Sequence, residues 1–344
     1  MQKVIKKLSR RNEPYIFVVL LLLCVLIEIR SGQFFTPNNL VDILSAAVVP
    51  GIFAVGAFMV IVSGGIDVSF PALASLSAYA TTSLLLESNY QGGIWLPILI
   101  AVGFGALLGA FNGLFIGHFG LPALIVTLGS SSVFKGFMQG TLNSRQFAVI
   151  PPGMKNFGLS PLFIATNPQS GLTARMPVSF LAFLAVLIVA YFLLQRTMFG
   201  RGIYAIGGNE VSAHRAGFSV RRTKFGMYVF VGMISSLAGL MRTCMMTQMH
   251  PTNMLGMEMN IIAGVVLGGT AITGGAGSLT GCMLGTVLIV VVENSMILLG
   301  VPTVWKSVFV GALIIVGTGV SAMQVARANR VHVSKKAALK EVRQ

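Results

Sequence analysis

Long uncharged apolar runs constrain this chain more than any other feature of its sequence. Residues 43–62 and 259–292 contain no Asp, Glu, Lys or Arg. A helix needs about 20 largely apolar residues to cross the ~30 Å hydrocarbon core of a bilayer. Only 10% of the 344 residues are charged and 55% are hydrophobic, whereas about 25% of a soluble domain is charged. The chain is therefore predicted to be a membrane protein, and a water-soluble enzyme is excluded.

The apolar windows predict ten transmembrane helices in an all-α polytopic membrane protein. The uncharged stretch 259–292 is interpreted as two spans joined at a glycine cluster, the first of them covering about 259–273. This eighth span is short, which is also compatible with a broken or re-entrant helix. The other predicted spans are 15–29, 43–62, 68–86, 94–117, 121–134, 176–195, 225–241 and 307–326.

The distribution of positive charge predicts which side of the membrane each loop faces. Lys and Arg are retained on the cytoplasmic side, and 17 of the 24 basic residues lie in the segments 1–14, 196–224 and 327–344. Six and then four predicted spans separate these segments, so an even number lies between each pair. Both termini and residues 196–224 are therefore predicted to be cytoplasmic, and residues 141–175 form the longest external loop.

No catalytic motif is visible in the sequence. The four histidines are scattered, and no H-E-x-x-H, G-x-S-x-G or P-loop pattern occurs. Three cysteines without paired spacing predict neither a disulfide framework nor a zinc site. The basic residues lie between apolar runs, which is typical of membrane topology and not of a nucleic-acid-binding face. We expect neither an enzyme active site nor a resident cofactor on this chain.

Ionisable residues inside a membrane are the usual functional candidates, since each costs about 2.5–3.5 kcal/mol at the bilayer centre. Asp67, Arg242 and Glu293 fall near the ends of predicted spans. The centre is thus almost free of charge, so a neutral polar solute fits better than a charged one.

Several polar and glycine residues beside the spans are candidates for a translocation pathway or gate. Asp67 either caps the following helix or contributes to a gate. Asn112 and Asn294 either form hydrogen bonds between helices or contact the solute. The glycine-rich segment 264–285 either packs helices closely or unwinds to line the pathway. The candidates are Gly65, Asp67, Asn112, Asn260, Gly268, Gly269 and Asn294.

The segment 196–224 has the most informative soluble sequence. Residues 209–216 are predicted to form a short amphipathic helix, opened by a turn and ended by Gly217 in a C-cap role. The segment is either a solvated basic loop or a docking helix for a cytoplasmic partner.

Four motifs, in order along the chain, resemble the permease family of bacterial sugar ABC importers, in its ribose-type branch, and more distantly branched-chain amino-acid permeases. They are SGGIDVS at 63–69, PALIVTLG at 122–129, FGR at 199–201 leading to GNE at 208–210, and IAGVVLGGT at 262–270. Phe70-Pro71 and Asn260 depart from the family pattern, and these departures bear on the identity of the solute.

The resemblance implies a translocation subunit in the bacterial inner membrane that works by alternating access. It would dimerise with an identical or paralogous chain and receive a monosaccharide or similar small neutral solute from a binding protein. A separate ATP-binding cassette ATPase would hold ATP-Mg and couple through the segment 196–224. The implied coupling residues are Gly200, Arg201, Gly207, Gly208, Asn209, Glu210, Ala213 and Gly217.

Two other classes of function stay open at this point. A self-sufficient secondary transporter or channel would need an ion site near the bilayer midplane, which the sequence does not display. A non-transporting anchor or sensor would not need ten spans.

Overall fold

Helices account for most of the described chain. The computed structural model describes residues 13–140, 145–168, 170–305, 308–312 and 315. A π-helical turn (Leu114–His118) continues the helix that ends at Gly113, a 3-10 turn lies at Thr303–Trp305, and β1 (Pro161–Thr166) pairs with β2 (Thr173–Pro177) in an antiparallel hairpin. The α-helices with defined bounds are α1 (Glu13–Ser31), α2 (Pro37–Val62), α3 (Phe70–Glu87), α4 (Trp95–Gly113), α5 (Ala123–Gly140), α6 (Pro152–Leu159), α7 (Ser179–Arg196), α8 (Met198–Gly208), α9 (Glu210–Arg215), α10 (Val220–Met246), α11 (Met257–Leu267) and α12 (Leu279–Leu298).

Six helices in the described part of the chain are long and apolar enough to cross a membrane. They are α1, α2, α4 with its π-helical turn, α7, α10 and the segment Leu279–Met296 of α12. The predicted spans 68–86 and 121–134 correspond to α3 and α5, each 18 residues long. The predicted eighth span is the 11-residue helix α11. The prediction of an all-α membrane protein is confirmed, whereas only residues 308–312 and 315 of the predicted span 307–326 lie within the described residues.

The helix α2 forms the centre of the bundle. In its apolar window 83% of the residues are buried, against 11% in α1. Every residue from Gly51 to Val62 is buried, so this helix is surrounded by other helices on all sides, which explains why its sequence is apolar all round. The helices α7, α10 and α12 pack against it, while α1 is largely exposed.

Close backbone contact joins α4 to α10. Glycines recur every four residues along one face of α4 and its π-helical turn, at Gly105, Gly109, Gly113 and Gly117. A Cβ atom added at Gly109 would lie 3.1 Å from the Gly232 Cα, and one at Gly117 would lie 2.9 Å from the Phe225 nitrogen. Small residues at this spacing let two helices approach until their backbones touch, as in membrane helix pairs generally.

The connecting segments fall into two groups at opposite ends of the bundle. At the end that we call the basic end, the Gly275 amide donates to the Val62 carbonyl at 2.8 Å, and Ser278 bonds to Glu13 at the start of α1. At the far end, Phe147 and Met249 form a β-bridge, and the Arg145 amide donates to the Tyr79 hydroxyl at 3.1 Å. The basic end also contains residues 197–219, which follow α7.

The predicted external loop 141–175 is partly ordered into secondary structure at the far end. It contains α6 and most of the β-hairpin, neither of which was predicted, while residues 141–144 and 169 lie outside the described residues. Ala174 and Met176 on one face of β2 pack against Val41 of α2. This apolar contact explains why a hairpin forms beside an otherwise helical bundle.

Replacing Gly109 by alanine is expected to lower the thermal unfolding midpoint of the protein purified in a mild detergent. The added methyl group would press on the backbone of α10, and overpacking of this kind costs about 1–3 kcal/mol. The midpoint can be followed by intrinsic fluorescence.

The matched control is Gly103→Ala on the same helix, where an added Cβ meets nothing within 4 Å. Alanine is a better helix former than glycine by about 1 kcal/mol, so this variant should keep or raise the midpoint. Equal midpoints for the two variants would show that close contact does not hold α4 against α10.

Candidate functional site

The segment after α7 folds into two consecutive short helices at the basic end. The predicted amphipathic helix is α9, and the Asn209 side chain caps it by accepting a hydrogen bond from the Ser212 amide at 2.8 Å. Gly217 follows with a φ of +91°, a left-handed conformation that costs other residues about 1–2 kcal/mol. The helix, its start and its end are all confirmed.

The preceding helix α8 was missed from the sequence, which predicted only a turn there. Four of its 11 residues are glycine, and glycine disfavours helix by about 1 kcal/mol per residue. Burial overrides this preference, since Ile203 and Ile206 are buried and the Thr197 side chain caps the helix by accepting from the Gly200 amide at 3.2 Å.

The eight candidate coupling residues divide by exposure. Ala213 is buried against Ile206 and Val220 and so holds α9 on its neighbours. Gly200 is buried and Gly207 is half-buried. The remaining five are exposed to solvent, namely Arg201, Gly208, Asn209, Glu210 and Gly217.

A cation-rich cleft lies between α9, the start of α10 and the end of α4. Its volume is about 920 Å³, and its walls include His118, His214, Arg215 and Arg221. At its edge the Lys224 ammonium contacts the Glu210 carboxylate at 2.7 Å. An exposed ion pair of this kind contributes about 0.2–1 kcal/mol, so the pair orients α9 on α10 more than it stabilises the fold.

Glycines from three distant parts of the chain meet next to α8, in a contact that we call the glycine junction. It consists of Gly64 after α2, Gly207 and Gly208 of α8, and Gly274 and Gly275 before α12. A Cβ atom at Gly207 would lie 2.6 Å from the Gly275 nitrogen, and one at Gly274 would lie 2.7 Å from the Gly64 Cα. The junction therefore joins α8 directly to two loops of the bundle, and the exposed helix α9 follows α8 in the chain.

The first of these loops, residues 63–69, is held by buried polar contacts. The Ser69 amide and hydroxyl both donate to the Asp67 carboxylate at 2.7 Å, and the Asn112 amide group of α4 donates to the Ser69 hydroxyl at 2.8 Å. Burial raises the pKa of the Asp67 carboxyl, while the bonds from Ser69 favour its charged form. Asp67 thus accepts two hydrogen bonds from Ser69, the residue directly before α3, and Asn112 joins α4 to the same residue. A gating role for Asp67 and a solute contact for Asn112 stay predictions.

Gly65 lies within the same loop. Its amide donates to the Val60 carbonyl at 3.0 Å. A Cβ atom there would lie 3.3 Å from the Tyr228 hydroxyl of α10. The position therefore has little room for a side chain.

The glycine-rich segment 264–285 packs two helices closely and is unwound between them. Gly264 and Gly268 of the first helix face Gly281 and Gly285 of the next, and a Cβ atom at Gly285 would lie 2.6 Å from the Gly268 nitrogen. These glycines pack α11 closely against α12. The intervening backbone is unwound, with φ of +86° at Gly269, and it leads to the glycine junction.

Asn260 lies toward the far end, separated from the glycine junction. Its side-chain amide donates to the Glu293 carboxylate of α12 at 2.9 Å, and Arg242 of α10 lines the same cavity. Asn294 is not part of that cavity lining. The sequence placed Arg242 and Glu293 at span ends, and nothing in their spacing indicated that they converge.

The fold defines a class of protein before any relative is considered. In the part of the chain that the structure describes, the buried helix α2 packs in a bundle with five other span-length apolar helices, and one end of the bundle is basic, so the chain is an integral membrane protein. Among the described residues, no group of three or more His, Cys, Asp or Glu is placed to hold a metal ion.

Comparison with known proteins identifies the family. The family of permease components of branched-chain amino acid transport systems matches residues 39–317. The ribose import permease protein RbsC of Escherichia coli K12 is 31% identical over 87% of this chain and 90% of its own length. The autoinducer 2 import system permease protein LsrC of Klebsiella pneumoniae is 30% identical over 91% and 86%, and the D-allose transport system permease protein AlsC of Escherichia coli K12 is 31% identical over 87% and 88%. No solved structure matches the chain.

The chain therefore belongs to this permease family. It is a transport permease of the bacterial inner membrane, and its relatives are permease proteins of solute import systems, not enzymes.

Alanine at Gly207 is expected to loosen the basic end, because the new methyl group would overlap the Gly275 backbone. Overpacking of a close contact costs about 1–3 kcal/mol, so the thermal unfolding midpoint in detergent should fall. The neighbouring variant Gly208→Ala is the control, since a Cβ there meets nothing within 4 Å. A lowered midpoint for Gly208→Ala alone would contradict the described junction.

Proposed function

We propose that this chain is the translocation subunit of an ATP-driven ABC importer for a monosaccharide or similar small neutral solute. The proposal rests above all on the glycine junction, which connects the short helices at the basic end, through α8, to loops within the bundle. Such a connection suits a subunit that is moved from outside by a separate motor. The relatives named for ribose and D-allose import support a sugar as the solute.

In this proposal the chain has ten spans and both termini in the cytoplasm. The basic end is cytoplasmic, in accordance with the retention of Lys and Arg on that side. It includes the tails 1–14 and 327–344 and the ATPase-coupling segment 196–224. The far end, with residues 141–175, faces outward. Successive connecting segments lie at alternate ends of the bundle. This supports a chain that crosses the membrane an odd number of times between one loop and the next.

The ATPase docks on α9 and the adjoining cleft. The exposed residues Asn209, Glu210 and Val211 offer a helix start and an apolar side chain, and Val211 is 60% exposed. An exposed short helix with mixed apolar and charged side chains fits a groove on a partner. ATP-Mg binds to that partner, and no residue of this chain is assigned to it.

Movement of the docked helices reaches the solute pathway through the glycine junction. Gly64 begins the loop that contains Gly65 and Asp67, while Gly274 and Gly275 belong to the unwound segment that begins at Gly268 and Gly269. Backbone segments in direct contact transmit a displacement more completely than long, flexible side chains do. The two loops therefore act as the cytoplasmic gate of an alternating-access cycle.

Two further partners complete the transporter. A sugar-binding protein delivers the solute at the far end, and a second permease chain, identical or paralogous, forms the other half of the pathway. The wide apolar surface of α1 and α7 leaves room for both lipid and such a second copy.

The proposal predicts that Gly208→Trp abolishes ATPase docking without disturbing the fold. An added Cβ at this exposed position meets nothing within 4 Å, so we expect the indole to be accommodated in the free chain and to collide with a docked partner. Recovery of a P-loop ATPase with the tagged, detergent-purified permease should fall at least about tenfold, the change produced by ~1.4 kcal/mol of lost binding free energy. Uptake of radiolabelled D-ribose or D-allose should fall with it.

The control is Gly136→Trp on α5, where an added side chain also meets nothing within 4 Å of its Cβ. This variant should retain both ATPase recovery and uptake. Normal uptake by Gly208→Trp would contradict the docking surface. Sugar flux in vesicles that contain the permease alone would instead support a secondary transporter or channel.

A further inference from the structure

A cavity within the bundle lies apart from the basic end. It has a volume of about 480 Å³ and is lined by α2, α10, α11, α12 and the loop before α11, toward the far end. Small-molecule sites generally measure about 300–1,000 Å³. The cavity is therefore large enough for a solute of the size of a monosaccharide.

Polar side chains from four separate segments converge on this cavity. Arg242 of α10 donates through Nη2 to the Asn253 side chain at 3.4 Å, and Asn260 of α11 donates to Glu293 of α12 at 2.9 Å. The Nε atom of Arg242 is buried and has no hydrogen-bond partner among the described residues. A guanidinium carries five N–H donors, so Arg242 has donors to spare for a ligand.

The backbone of α2 adds an acceptor to the same wall. Ala46 and Pro50 both line the cavity. Proline has no N–H, so the carbonyl of the residue four positions earlier loses its usual helical donor. The carbonyl oxygen of Ala46 is thereby left able to accept from a ligand hydroxyl.

The charge balance and the remaining walls indicate the chemical class of the ligand. One cation, Arg242, faces one anion, Glu293, so the lining has no net charge. Aliphatic side chains, among them Ile261, Ile289 and Val290, form the rest of the wall. Donors, acceptors and an aliphatic surface together suit a small polyhydroxylated molecule with C–H faces.

We infer that this cavity is the site at which the permease binds its solute, a neutral monosaccharide, during transport. Arg242 donates to the sugar hydroxyls, while Glu293, oriented by Asn260, and the Ala46 carbonyl accept from them. The inference rests on the proposed function and adds to it the residues that contact the solute.

The test measures uptake of radiolabelled D-ribose and D-allose by cells that express the permease together with its ATPase and binding protein. Arg242→Met keeps the aliphatic stem and removes every donor. Uptake at a sugar concentration below half-saturation should fall at least tenfold, while recovery of the ATPase with the purified permease stays unchanged. The control is Lys135→Met, which removes one positive charge near the far end of α5 and outside the cavity lining.

A second variant keeps the test decisive if Arg242→Met does not accumulate in the membrane. Ile289→Val enlarges the cavity by one methylene, so the ratio of D-allose to D-ribose uptake should rise. A ratio does not change when the amount of folded protein falls. An unchanged ratio would overturn the inference.

The remaining outcomes separate the inference from the proposed function. If the wild-type permease takes up sugar and Arg242→Met does so equally well, the cavity assignment is wrong and sugar import stands. If the wild-type permease takes up neither sugar, the proposed sugar import is wrong and the cavity assignment falls with it.

Discussion

Backbone contact at glycine is the interaction on which the rest of this structure depends. Lipid is as apolar as the helices, so burying leucine gains little, and association relies on close packing. The same kind of backbone contact joins α4 to α10, α11 to α12, and the loops of the glycine junction. A helix pair held in this way has little tolerance for an added atom.

The helix α10 connects the two places for which we propose a role. It begins at Val220, three residues after the Gly217 turn that ends α9, and it contains Arg242 close to its far end. At about 1.5 Å per residue, its 27 residues span roughly 40 Å. Since its backbone also touches α4, any tilt of α10 at the basic end must move the cavity wall as well.

Structural features that depend on neighbouring residues could be predicted from the sequence, whereas contacts between distant segments could not. The start and end of α9 followed from Asn209 and Gly217, because capping depends on neighbouring residues. The helix α8 was missed because its glycines oppose a helix that only tertiary burial stabilises. Arg242 and Glu293 were identified as charges near span ends, but their shared cavity depends on how α10 and α12 pack. The glycines that recur every four residues in α4 are a local pattern that indicates close contact with another helix.

The glycine junction is formed by segments that are synthesised at very different times. Its parts come from residues 62–64, 207–208 and 274–275, so the contact cannot exist until the ribosome has synthesised the last of them. The N-terminal spans enter the membrane long before that point. During biogenesis, the surface formed by α8 and α9 thus lacks its support until insertion is nearly complete, which delays assembly with partner subunits until the bundle has closed.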